Sequence, residues 1–264
     1  MHHRLFKKFI KHFWKGLQVR KDEEKIKKMR EGGRIAASIL RKVLVSVKPG
    51  VTTQELDKYA EDLCHKEGVL PAFKGYQDFP ATLCVGPNDT VVHGIPGTTG
   101  LKEGDIVSID FGIKYEGVYL DMARTVGVGK ISSNAEKFIE TVGKALENAI
   151  EEAKPGNTVG DIGYEIQSTV EEQGYSVVRE MVGHGVGYKL HEEPMIPGYG
   201  NPGEGEALYE GQTLAIEAIV NQGSYEITIS RKDGWTTKTK DGKLSALFEN
   251  TVVVLEKPEI LTPV

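Results

Sequence analysis

Cysteine is scarce in this chain. Cys64 and Cys84 are the only two among 264 residues, and their spacing makes neither a zinc ribbon nor a redox pair. A body of this size with two thiols does not rest on disulfides and suits a reducing compartment. Long apolar runs are missing as well: none approaches the roughly 20 residues that cross a bilayer. Lysines break up the apolar residues near the start, which argues against a secretory signal. No linker rich in Pro, Gly and Ser divides the body. The expectation is a cytoplasmic protein whose residues 21–264 form one domain.

Residues 1–20 lack acids altogether. They hold six lysines and arginines, so the formal net charge of -5 for the whole chain leaves -11 on the remainder. An acidic body excludes wholesale nucleic-acid binding and leaves the N-terminal segment as the candidate for an anionic partner. There Leu5, Phe6, Phe9, Ile10, Phe13 and Leu17 recur at helical spacing between the lysines. This predicts a basic amphipathic extension that docks on the ribosome or on an anionic membrane.

Helical periodicity continues through Ile26, Met29, Ala36, Leu40, Val43 and Val47 and stops at Lys48-Pro49-Gly50. Thr52-Thr53-Gln54-Glu55 has the form of a capping box opening a second helix, which ends near Gly68. The passage then recurs: Lys154-Pro155-Gly156-Asn157-Thr158 echoes Lys48-Pro49-Gly50-Val51-Thr52 at an offset of 106. At that offset Leu56 falls on Ile162 and Gly68 on Gly174, and a periodic helix marked by Phe138, Val142, Ala145 and Ile150 precedes the second copy. Two related halves, each lending helices to one shared sheet, account for this. Residues 105–112 and 119–126 read as a hairpin about a Lys114-Tyr115-Glu116-Gly117 turn. Residues 175–182, 213–220, 225–230 and 246–254 read as further strands, with polar loops at 204–211 and 232–243.

Chemistry concentrates in Gly183-His184-Gly185-Val186-Gly187-Tyr188-Lys189-Leu190-His191-Glu192-Glu193-Pro194. So many glycines do not sustain a helix, which places the two histidines at a strand end and the turn beyond it. Elsewhere Asp110, Asp121, Glu217 and Glu249 each interrupt an apolar strand. A buried carboxylate must be protonated, paired or bound to a cation. For one such acid an edge position or an ion pair suffices. Four of them with His184 point to cations, and their charge is balanced by two divalent ions sharing carboxylates and a hydroxide. Oxygen ligands with one imidazole favour Co, Mn, Fe or Zn. For His93, within Val91-Val92-His93-Gly94, periodicity alone suggests a satisfied buried imidazole.

Taken together these stretches resemble the type I methionine aminopeptidases. The likeness spans residues 22–255 and rests on Asn88-Asp89-Thr90-Val91-Val92-His93-Gly94-Ile95-Pro96, Ser108-Ile109-Asp110-Phe111-Gly112, residues 183–194 and Asp233-Gly234-Trp235-Thr236. The resemblance implies the pita-bread fold, an α/β (α+β) domain in which a pseudo-twofold repeat of helices backs a shared antiparallel sheet. It implies five metal ligands at Asp110, Asp121, His184, Glu217 and Glu249, with Asp121 and Glu249 bridging two ions. It further implies removal of the initiator methionine from nascent chains with a small second residue, by attack of a metal-bridging hydroxide. Glu217 then relays the proton, His191 binds the polarised carbonyl, and His93 positions the scissile amide. Phe73, Tyr76, Phe79, Cys84, Leu190 and Trp235 fall where the family lines its methionine pocket. The family is mostly monomeric.

Two departures are visible. Gly86-Pro87 is expected to interrupt a strand the family continues, and Ala218 replaces a proline that often follows the ligand glutamate. The competing readings are an Xaa-Pro aminopeptidase or prolidase-like hydrolase, whose extra N-terminal domain residues 1–20 cannot supply, and a non-catalytic ribosome-docking protein of the same fold, which retention of all five ligands disfavours.

Overall fold

The computed structural model describes the backbone of residues 2–264 and the side chains of residues 23–264. The predicted basic face of residues 1–20 therefore lies outside the described side chains. Helix α1 (His2–Val45) is followed by α2 (Thr53–Glu67) and the short strands β1 (Leu70–Pro71), β2 (Leu83–Pro87) and β3 (Thr90–Val92). The long hairpin β4 (Ile106–Tyr115) and β5 (Val118–Gly127) leads into α3 (Ser133–Glu151) and α4 (Val159–Glu171). Then come β6 (Ser176–Val177), β7 (Gly183–Gly185), β8 (Glu192–Ile196), β9 (Thr213–Asn221), β10 (Ile227–Ile229), β11 (Thr237–Thr239), β12 (Ser245–Val253) and β13 (Glu259–Ile260).

The capping boxes are where the sequence places them. Thr52 accepts from Glu55 N while the Glu55 carboxylate accepts from Thr52 N, and Thr158 and Asp161 repeat the arrangement. Each first-half turn has its counterpart: Gly50 and Gly156 have φ of 89° and 93°, Gly68 and Gly174 of 70° and 78°. Isolated bridges tie Thr52 to Gly100 and Thr158 to Ala207. The offset has grown by one residue there, so β4 corresponds to β9 and Asp110 to Glu217.

One antiparallel sheet unites the halves in the order β1-β4-β5-β12-β9-β7-β8, with β2 beside β4, β6 beside β9 and β13 beside β12. Strand alternation divides its faces. Ile109, Phe111, Leu120 and Met122 pack under α1 and α2 with Met29, Leu40, Leu56 and Leu63. Ile216, Ala218 and Val252 pack under α3 and α4 with Phe138, Val142, Leu146 and Ile162. The odd-and-even register then sends Asp110, Asp121, Glu217 and Glu249 to the opposite face.

Three expectations need correction. Gly86-Pro87 does not break its strand: β2 pairs with β4 through Gly86↔Ser108 and Pro87↔Val107. Glycine fits there because a Cβ would meet Thr90 O at 2.8 Å, and β2 is an edge where the missing proline N–H costs no ladder bond. Residues 175–182 yield only Ser176–Val177 as strand before the backbone bends. The supposed loop 232–243 contains β11, which joins β10 and β3 in a separate three-stranded sheet.

Candidate metal centre

Register across five neighbouring strands assembles the site. Glu249 on β12 pairs directly with Glu217 on β9. Ala123 on β5 faces Glu249 on one side and Asp110 on the other, so a side chain of one carbon separates the carboxylates of the two halves. Asp121 lies two residues from Ala123 and on the same face. His184 on β7 pairs with Ala215, two residues from Glu217. Asp121, His184 and Glu249 each present a ligand atom, and these atoms lie within 4.8 Å of one another. Asp110 and Glu217 line the same cavity, whose volume is about 940 Å³.

The electrostatics are those of a site built for cations. Burial pushes the Asp110, Asp121 and Glu249 carboxyls well above the usual range, and the neighbouring carboxylates add to it. Burial likewise raises Glu217, to about 7. Asp110 Oδ1 and Glu249 Oε1 are buried with no hydrogen-bond partner among the described residues. Arg124 offsets the rise at Glu249 only in part, and its guanidinium donates to the main-chain oxygens of Ala123 and Glu249 and to Asn250 Oδ1 instead of to a carboxylate. His184 Nδ1 is 2.9 Å from Gly185 O. A carbonyl only accepts, so that nitrogen carries the proton and Nε2 keeps its lone pair for a metal.

Behind the ligands, Thr251 hydroxyl donates to Asp121 O while accepting from Asp121 N, at 2.8 and 2.9 Å. This clamp joins β5 to β12 where the paired strands diverge. Sequence reasoning missed Thr251 and Arg124. The available signal was a polar residue two or three positions past Glu249 and Asp121, but nothing in spacing tells which such residue faces which strand.

The six apolar candidates converge. Phe73, Phe79, Cys84 and Leu190 are buried in one small cluster, with Tyr76 and Trp235 packed against it. Phe79 and Trp235 meet edge to face at 5.2 Å. Gly112 on β4 permits this wall, since a Cβ would come within 2.8 Å of Phe73 Cε1. Cys84 closes the floor beside Asp110, and burial holds its thiol well above the usual value. His93 follows β3 with φ of 56°, a left-handed conformation that costs a non-glycine residue of order 1 kcal/mol or more. Its ring stands perpendicular to Trp235 at 6.0 Å. The β3–β11 pairing brings these two residues together from distant sequence. Burial lowers both His93 and His184 to about 4. His191 lies on the rim and its ring packs 4.4 Å from that of His184. The cavity thus holds every site residue picked from sequence, together with Gln77, Glu180, Tyr188 and Met195 at its mouth.

A family model described as metallopeptidase family M24 matches residues 27–256. The chain belongs to metallopeptidase family M24. Within it, the chain is 49% identical to the methionine aminopeptidase of Clostridium perfringens, over 92% of this chain and 98% of that one. It is 48% identical to methionine aminopeptidase 1 of Bacillus subtilis, over 89% and 95%. Among solved structures, the methionine aminopeptidase of Rickettsia prowazekii superposes with a TM-score of 0.90 at 40% identity, covering 91% of this chain and 98% of that one. The prolidase of Pyrococcus horikoshii OT3 reaches 0.74 at 24% identity and is matched over 62% of its length, a likeness of fold. As an M24 metallopeptidase the chain is a hydrolase with the pita-bread architecture, and the helices of its two halves back the shared sheet. Among the described residues no helix is long and apolar enough to cross a membrane. Its donor set fits a divalent metal, since two orphaned carboxylate oxygens and a correctly presented imidazole nitrogen converge on one cavity.

Proposed function

We propose that the chain removes N-terminal methionine from peptides whose second residue is small. The observation that carries this is one cavity joining a carboxylate-rich metal centre to a closed apolar pocket. Asp110, Asp121, His184, Glu217 and Glu249 would hold two divalent ions drawn from Mn, Fe, Co and Zn; two are needed to balance four carboxylates. Such ions supply Lewis acidity and a water acidified to near neutral pH. Phe73, Tyr76, Phe79, Cys84, Leu190 and Trp235 enclose the methionine side chain, because a thioether is recognised by dispersion and not by hydrogen bonds. Glu217, set among the other carboxylates at the centre, takes up and passes on a proton. His191 donates to the carbonyl oxygen as charge develops there, and His93 aligns the scissile amide.

The test is hydrolysis of Met-Ala-Ser and Ala-Pro-Ser by metal-stripped protein resupplied with Mn, Fe, Co or Zn. Metal-dependent release of methionine alone, from a protein eluting as a single 29.0 kDa chain, is the expected result. Cleavage confined to the Ala-Pro peptide would instead support the prolidase-like reading. No cleavage of either would leave the non-catalytic binding protein.

We further propose that residues 1–20 hold this cytoplasmic enzyme to an anionic surface, a reading supported by their charge and apolar periodicity. Changing Lys7, Lys8, Lys11 and Lys15 together to Glu should reduce co-sedimentation with ribosomes or with anionic vesicles, whichever is the partner. Unchanged sedimentation with both would discard the idea.

A further inference from the structure

Tyr76 touches more than the substrate pocket. Its hydroxyl oxygen lies 2.8 Å from His191 Nδ1, and the two rings meet edge to face with centroids 5.1 Å apart. The residues come from opposite walls of the cavity. Tyr76 opens a 3-10 turn (Tyr76–Asp78) fixed by Tyr76 N donating to Phe73 O, Phe79 N to Tyr76 O and Gly75 N to Phe79 O. His191 sits in the bend between β7 and β8, where Lys189 N donates to the Glu192 carboxylate at 2.7 Å. Apart from the His184 ring on its other side, His191 is exposed at the rim. Among the described residues its Nε2 has no protein hydrogen-bond partner.

A neutral imidazole has one N–H and one bare nitrogen, and which is which is set by the hydrogen bond the other makes. If Nδ1 donated to the phenol oxygen, Nε2 would turn a lone pair toward the substrate and repel a carbonyl oxygen. If Nδ1 accepts from the phenol, Nε2 carries the proton and becomes a donor. An exposed ring without this contact samples both tautomers and several orientations, and restoring one of them has an entropic cost at each turnover.

We propose that Tyr76 is a positioning residue for peptide cleavage: its hydroxyl donates to His191 Nδ1, fixes the tautomer protonated on Nε2 and aims that N–H at the substrate carbonyl. The inference rests on the reading of His191 as donor to that oxygen. It adds to the apolar wall Tyr76 provides, because phenylalanine would keep the wall and lose the hydroxyl.

Tyr76→Phe in the metal-loaded enzyme separates the two roles. Removing a donor to a developing oxyanion costs about 10²–10³ in kcat, so loosening one should cost about tenfold, with KM for Met-Ala-Ser within about threefold of wild type. The second readout is the tautomer itself, from long-range ¹H–¹⁵N correlation of Zn-loaded protein labelled with ¹⁵N-histidine, His191 being assigned by its loss in His191→Ala. Wild type should show protonation on Nε2 alone, and Tyr76→Phe an averaged pair of nitrogens. A Tyr76→Phe enzyme with kcat within twofold of wild type overturns the proposal, as does a wild-type His191 protonated on Nδ1. If His191→Ala retains full kcat, the donor role of His191 itself has failed. If His191→Ala is inactive and Tyr76→Phe unaffected, only the role given to Tyr76 has failed.

Discussion

Asp121→Asn should abolish methionine release while making the metal-stripped protein harder to melt. The two effects have one cause. Asp121 is buried beside Glu249 and the His184 ring, with ligand atoms inside 4.8 Å, and burial together with Glu217 raises its carboxyl well above the usual range. The amide keeps the shape and the Thr251 clamp on the backbone but removes one charge from the ligand set. Several kcal/mol of transition-state stabilisation depend on the metal, so kcat/KM should fall about 10³-fold or more. In metal-free protein the same change removes a buried group that its neighbours repel. Relief of roughly 1 kcal/mol would raise Tm by about 2–4 °C for a domain of this size. The checks are peptide hydrolysis, metal content and melting in EDTA. A variant that retains both metal and activity would remove Asp121 from the centre.

Metal-stripped protein should lose stability as pH rises above about 6.5, and metal should cancel the loss. Burial raises the folded-state values of Asp110, Asp121, Glu217 and Glu249. Above the unfolded values of about 4 the folded state therefore holds protons the unfolded chain has released, and stability falls with pH. For Glu217 the fall ends as pH passes about 7; the other three extend it further. His93 and His184, lowered to about 4, act in the opposite sense. Folded they stay neutral while the unfolded chain takes up protons, so they make stability rise with pH until about 6.5. The two sets oppose each other below that point, and only the carboxylates remain above it. Each carboxyl still protonated contributes a slope of about 1.4 kcal/mol per pH unit. Melting in EDTA from pH 6.5 to 8.5, against melting with excess Zn, reads the difference. A flat profile in EDTA would contradict the clustered, charge-starved carboxylates.

How far such features could be read in advance differs by element. The capping boxes at Thr52 and Thr158 and the hairpin about Glu116-Gly117 are local: each is decided by residues within one turn, and each is present. The acids Asp110, Asp121, Glu217 and Glu249 stood out because a charge inside an apolar strand violates the strand's own pattern. The three-stranded sheet of β10, β11 and β3 left no such mark. Its strands have three residues each, and β3 pairs with a segment far along the chain that is polar enough to resemble a loop. The residues 175–182 failed in the opposite way. Their apolar alternation suits a strand, but the backbone turns after Val177 and its lone partner β9 is then taken over by β7.

The sequence by itself determined the repeat, the helix ends, the alternation that sorts each strand's faces, and which acids could not be ordinary. These rest on spacings of two to four residues or on a period carried along the chain. Only the tertiary structure decided that Glu249 stands opposite Glu217, that Ala123 leaves the gap between the halves, and that Tyr76 reaches His191 across the cavity. Register between strands, and contact between residues far apart in the chain, follow from how both helix pairs pack on one sheet. No local spacing encodes that packing.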